Sequence, residues 1–171
     1  AAQFDAILHT YQGDEERGPA GALTYANRFF FSRRQRQHFL TATALLYRPD
    51  LHRATYVSAG HPPLLHRHAN TVVERDAGQQ IPLGVLRDHE WTNAHFIVEP
   101  GDLLVLYTDG IIEARNPAGV AFGIERLRGL VAEGPDTPDA LLAALRAAVF
   151  EYQDSRIGHD DQTLIVLRIT V

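Results

Sequence analysis

Two short acidic clusters hold the residue types most suited to chemistry. The first is Tyr107-Thr108-Asp109-Gly110, directly after the apolar run Leu103–Leu106. An Asp at a strand end followed by Gly has its carboxylate aimed off the sheet edge, with backbone freedom beside it. The second is His159-Asp160-Asp161-Gln162-Thr163, directly before the last apolar stretch of the chain. Paired carboxylates repel one another unless a cation or solvent intervenes. Carboxylates converging on one point are what Mg²⁺ or Mn²⁺ require: hard oxygen ligands with several retained waters. Each cluster alone has a plainer reading, a turn in the first case and a solvated loop in the second.

Other chemistries are excluded or weaker. The chain has no Cys, so it has no disulfide, thiolate zinc site, iron–sulfur cluster or Cys nucleophile. His61, in Ser58-Ala59-Gly60-His61-Pro62, has the titration range of a general acid, but Gly-His-Pro after a strand reads first as a tight turn. His66 and His68 share one side of a strand and are expected to be solvated. Asn27-Arg28 is expected to serve packing in a helix. Ser32–Gln37 (SRRQRQ) is read as a solvated basic connector.

The elements that must position these residues follow from the hydrophobic spacing. Phe4, Ile7, Leu8 and Tyr11 predict a helix over 1–11, and Pro19 opens a second with Leu23, Ala26 and Phe30 on one face. From Phe39 the period changes to that of strands, predicted over 39–47, 54–58, 63–66 and 71–75, with a loop over 79–84. Two more strands are predicted over 91–98 and 103–107, joined by the turn Glu99-Pro100-Gly101-Asp102. A short helix over 124–131 precedes a long one over 140–152, with Thr137 as its N-cap and Pro138 in its first turn. A strand over 163–169 closes the chain. This order predicts an α+β fold with a mainly antiparallel sheet.

Composition sets the outer bounds. A chain of 171 residues is the size of one domain and buries roughly 70% of its unfolded surface, enough for a core. With 45% hydrophobic and 22% charged residues it is an ordinary globular sequence, not a disordered or fibrous one. A net charge of −5 argues against nucleic acid or an anionic membrane as the main partner. No apolar run is long enough to span a bilayer, and no signal-peptide pattern opens the chain, so a cytoplasmic protein is expected. All sixteen basic residues are Arg, read as the codon composition of the source genome, and Met is absent even at position 1.

Five ordered motifs carry a resemblance. Ala54–Pro63 (ATYVSAGHPP), Ile81–Gly84 (IPLG), Glu99–Glu113 (EPGDLLVLYTDGIIE), Phe122-Gly123 and Asp160–Val166 (DDQTLIV) together resemble the C-terminal part of the SpoIIE-like phosphatases. These are bacterial members of the metal-dependent PPM-type protein serine/threonine phosphatases. The resemblance implies an αββα sandwich of two antiparallel sheets flanked by helices. It implies a two-metal site holding Mn²⁺ or Mg²⁺, at which metal-activated water attacks phosphoserine or phosphothreonine in line, with no covalent enzyme intermediate. On that pattern Asp109 and Asp160 are metal ligands, Asp161 acts at one remove or through water, and Gly110 permits close approach of backbone behind the site. No catalytic residue beyond the metal ligands is implied.

The implied substrate is a phosphorylated anti-anti-sigma protein of the STAS type, and the implied neighbours are upstream sensor or receiver domains. Neither nucleic acid nor membrane insertion is implied, and a homodimer is left open. One departure bears on activity. The family's bridging Asp lies in a Gly-Asp-x-Ser-Gly-His-Gly stretch that this sequence lacks, and Asp5 and Asp14 do not match it. Ala1-Ala2 resembles the Ala-Ala pair of the helix after that stretch. The expectation is a single domain over 1–171, N-terminally incomplete as given. The rival reading is a non-catalytic phosphatase-like module that binds a partner protein; a third is a phosphoesterase acting on small molecules.

Overall fold

The computed structural model describes residues 17–33, 39–78, 80–153 and 161–170. The predicted helix over 1–11 and most of the basic connector lie outside them. The chain divides into two compact units, one formed by 1–61 with 76–97, the other by 62–75 with 98–171.

In the first unit, helix α1 (Gly18–Arg33) packs on an antiparallel sheet of order β1-β2-β5. Its strands are β1 (Ala42–Arg48), β2 (Arg53–Ala59) and β5 (Ala94–Ile97). Buried residues Ala20, Leu23, Thr24 and Asn27 recur at the three- and four-residue spacing of one helix face. Leu23 meets Val57, Ala59, Leu83 and Trp91 in the core of this unit. The predicted Leu23 and Ala26 are buried, whereas Phe30 is only half-buried.

The predicted strand over 91–98 shortens to β5 because its first residues are used elsewhere. Trp91 is buried and donates Nε1–H to the Ile81 carbonyl (3.1 Å), and the Thr92 N–H goes to Gln80 (2.8 Å). Asn93 holds the start of α1, accepting from the Ala20 N–H at 2.9 Å and donating to the Arg17 carbonyl at 3.0 Å. This side chain satisfies an orphan helix-terminal donor from 73 residues away.

Asn27 has a larger part than helix packing. It is fully buried, donates to the Leu86 and Arg87 carbonyls (2.9 and 3.0 Å), and accepts from the Gly84 N–H at 2.7 Å. Asn27→Ala removes three hydrogen bonds to the 84–87 backbone, one of them buried, and is expected to cost about 2–3 kcal/mol, lowering the thermal midpoint by roughly 5–10 °C. Thermal unfolding followed by circular dichroism tests this; an unchanged midpoint would show that the turn holds itself.

The second unit is an antiparallel sheet of order β4-β3-β6-β7 with the remaining helices. Its strands are β3 (Leu64–His68), β4 (Thr71–Arg75), β6 (Leu103–Tyr107) and β7 (Leu164–Arg168). Between β6 and β7 come α2 (Asp109–Ile112), α3 (Ile124–Glu133) and α4 (Pro138–Tyr152). Alternate residues Leu103, Val105 and Tyr107 share a core with Leu127 and Val131 of α3 and with Leu141, Leu145 and Val149 of α4. The period of two on the strand and of four on the helices is what one shared core demands.

Along β7, Leu164 and Val166 pack against this core while Ile165 and Leu167 are exposed, so among the described residues the last strand is covered on one face. Thr137 stands at the N-cap of α4 as predicted, but its side chain makes no cap bond; its carbonyl accepts from the Leu141 N–H. The link between α3 and α4 is held by the buried Arg67 instead. Arg67 donates to the carbonyls of Val131, Gly134 and Pro135 and to the Asp136 carboxylate (2.6–3.2 Å). A cation among the carbonyls that end a helix is favourably placed. Among the described residues no helix is long and apolar enough to cross a membrane.

Candidate metal centre

The apolar run of β6 ends at the buried Tyr107, paired with Leu164 of β7. Beyond that pair Thr108 ties the two chain segments together. Its N–H donates to the Thr163 carbonyl (3.1 Å), and its hydroxyl accepts from the Thr163 N–H (2.9 Å) while donating to the Asp161 carbonyl (3.2 Å). Asp109 follows as the first residue of α2, exposed, with Oδ1 accepting from the Gly110 N–H at 3.0 Å.

Gly110 is buried against the opposite segment. A Cβ there would lie 2.6 Å from the Asp161 carbonyl oxygen, so only glycine fits. Gln162 completes the seam, donating Nε2–H to the Gly110 carbonyl at 3.0 Å. The seam therefore joins 108–110 to 161–163, and Asp109 and Asp161 are both exposed at this end of the β6–β7 pair. Asp160 lies outside the described residues. Among the described residues no group of three or more His, Asp or Glu side chains converges as a complete metal cage. Both carboxylates offer hard oxygen donors, the ligand type that Mg²⁺ and Mn²⁺ take while keeping waters.

The sequence model of the Stage II sporulation protein E (SpoIIE) family matches residues 1–170. The chain belongs to the SpoIIE family. Over 155 residues it is 31% identical to the phosphoserine phosphatase RsbU of Bacillus subtilis (strain 168), covering 88% of this chain and 45% of RsbU. It thus spans less than half the length of that relative. Among solved structures, the SiaA-PP2C domain of Pseudomonas aeruginosa superposes with a TM-score of 0.82 at 21% identity, over 98% of this chain and 66% of that one. The SpoIIE phosphatase domain of Bacillus subtilis, presoaked with Mn, gives 0.64 at 19% identity, over 99% and 72%. The expected fold, two antiparallel sheets with helices, is the PP2C phosphatase fold of these structures.

The SpoIIE motif around His61 is a turn. The Ser58 hydroxyl donates to the His61 carbonyl (2.8 Å) and accepts from the His61 N–H (3.1 Å). Gly60 has φ +71°, and a Cβ there would lie 2.6 Å from Cγ of Pro82 in the PLG segment.

The solvated reading needs correction for His66, whereas His68 is exposed as expected. His66 is 3% exposed and places Nε2 2.7 Å from Oδ2 of Asp102, which is itself 4% exposed. His68 is half-exposed and places Nδ1 2.8 Å from Oδ1 of the same carboxylate. Burial pushes the His66 pKa down, partly offset by Asp102, whereas the bond to Asp102 raises that of His68. For Asp102, burial works upward, but the Glu99 N–H and the two imidazoles outweigh it and hold the carboxyl below its usual range. The alternation of β3 gave a signal for a shared face; the partner lay 34–36 residues on, in the Glu99–Asp102 turn.

Proposed function

We propose that this chain carries part of the site of a metal-dependent protein phosphatase, with phosphoserine or phosphothreonine on a regulatory protein as substrate. Asp109 and Asp160 are assigned as ligands to Mn²⁺ or Mg²⁺ in a two-metal site, with Asp161 acting at one remove or through water. The observation that carries the reading is the seam of 108–110 to 161–163, which brings Asp109 and Asp161 to adjoining chain segments. When bound, the cations lower the pKa of water and neutralise charge on the phosphoryl oxygens. The chain's own part is to fix the carboxylates. Thr108 and Gln162 lock the two segments, and Gly110 lets them touch. Residues 1–171 are read as a single phosphatase domain.

The 31% identity to a phosphoserine phosphatase supports the substrate class. The substrate is proposed to be a phosphorylated STAS-type anti-anti-sigma protein, in the cytoplasm, with sensor or receiver domains as neighbours in the protein. The test is phosphate release by the intact protein from a phosphoserine-bearing STAS-domain protein encoded in the same genome, with Mn²⁺ and with EDTA. Mn²⁺-dependent release, faster than from small phosphate esters, is expected. A stable complex without release would favour the partner-binding module, and preference for a small ester would favour a small-molecule phosphoesterase.

A further inference from the structure

We propose that His66, Asp102 and His68 form a proton-operated latch that sets how firmly the Glu99–Asp102 turn, and with it one end of the β6–β7 pair, is held. Asp102 stands just before β6 and meets His66 and His68 of β3, whereas Asp109 stands just after β6. Asp102 is the hub, taking His66, His68 and the Glu99 N–H on its two oxygens. Its own carbonyl accepts from the Ile169 N–H (2.9 Å), and the Gly101 N–H donates to the Ile169 carbonyl (2.9 Å), so the turn also grips the chain just after β7.

Donor chemistry assigns the protons. A guanidinium only donates, and Arg75 places Nε and Nη2 3.2 and 3.0 Å from Nδ1 of His66. Nδ1 is therefore the acceptor, Nε2 carries the hydrogen given to Asp102, and His66 is neutral. A second proton on His66 would set an N–H against Arg75 and cost the bonds that Arg75 makes to Nδ1. His68 differs. Its Nδ1–H already faces an ionised acceptor, so a proton arrives at Nε2 and turns the existing bond into a charge-assisted one. The charged groups facing the cluster are Arg75 from β4 and Glu99 from the turn.

The signs follow. His68, raised in the folded state, contributes stability that is full below the ordinary imidazole value of about 6.5 and lost as pH rises through its folded value. His66, depressed, contributes stability that is full above about 6.5 and lost as pH falls toward its folded value. The cluster thus holds best near pH ~6.5 and loosens on either side.

The test is thermal unfolding of the chain between pH 5 and 8, beside His68→Gln, whose amide still donates to Asp102 but does not titrate. Wild type is expected to gain roughly 1–2 °C over the variant between pH 8 and pH ~6.5, and the fall below that pH is expected in both. In proton NMR the His68 ring should titrate above the histidines of the urea-unfolded chain. Parallel curves for wild type and variant above pH ~6.5, or a His68 midpoint equal to the unfolded one, would overturn the latch. His68 is half-exposed, so its replacement leaves the fold intact.

Discussion

Asp109→Asn is expected to lower Mn²⁺-dependent turnover of the intact protein by at least ~10²-fold, as loss of a charge that holds a catalytic cation should. The substitution keeps the size of the side chain and its acceptor for the Gly110 N–H, so the start of α2 is undisturbed. Asp109 is exposed, and surface changes of this kind usually leave stability within about 0.5 kcal/mol. Turnover should therefore fall without a change in thermal midpoint. Steady-state kinetics at saturating Mn²⁺, with unfolding measured on the same samples, separates the two. Near-wild-type turnover would remove Asp109 from the ligand set.

Gly110→Ala should damage both stability and turnover. The added Cβ would lie 2.6 Å from the Asp161 carbonyl oxygen and 3.3 Å from its carbon, both backbone atoms that cannot swing aside. The seam must open, at a cost of about 1–3 kcal/mol typical of overpacking. Because the displaced residue neighbours the proposed ligands, turnover should drop about tenfold or more, a misplacement effect. Gly129→Ala is the matched control. It lies within α3 with nothing within 4 Å of its added Cβ, and should stabilise by up to ~1 kcal/mol through helix propensity. If both variants melted alike, the close approach at Gly110 would carry no energetic weight.

Local signals were legible in the sequence wherever partners are near in the chain. The Glu99–Asp102 turn, the strand Leu103–Tyr107 and the Thr108-Asp109-Gly110 corner follow one another within a dozen residues, and all stand where their spacing placed them. Side chains that reach across the fold were not legible. Asn93 holding α1, Asn27 holding the Gly84–Arg87 turn, and Arg67 gripping the end of α3 act over 57–76 residues. Nothing in local composition encodes such a partner. His66 was misjudged for the same reason: a His in a polar-looking stretch reads as solvated until antiparallel pairing brings Asp102 beside it. The family motifs reached further than spacing alone, because they name residues that meet only in the folded chain, as Gly110 and Asp161 do.

The most direct test is hydrolysis of a chromogenic aryl phosphate by the intact protein, with Mn²⁺ and with EDTA, wild type beside Asp160→Asn. The account predicts activity that requires Mn²⁺, vanishes with EDTA and is lost in the variant. Hydrolysis that survives EDTA, or equal Mn²⁺-dependent turnover in Asp160→Asn, would contradict it.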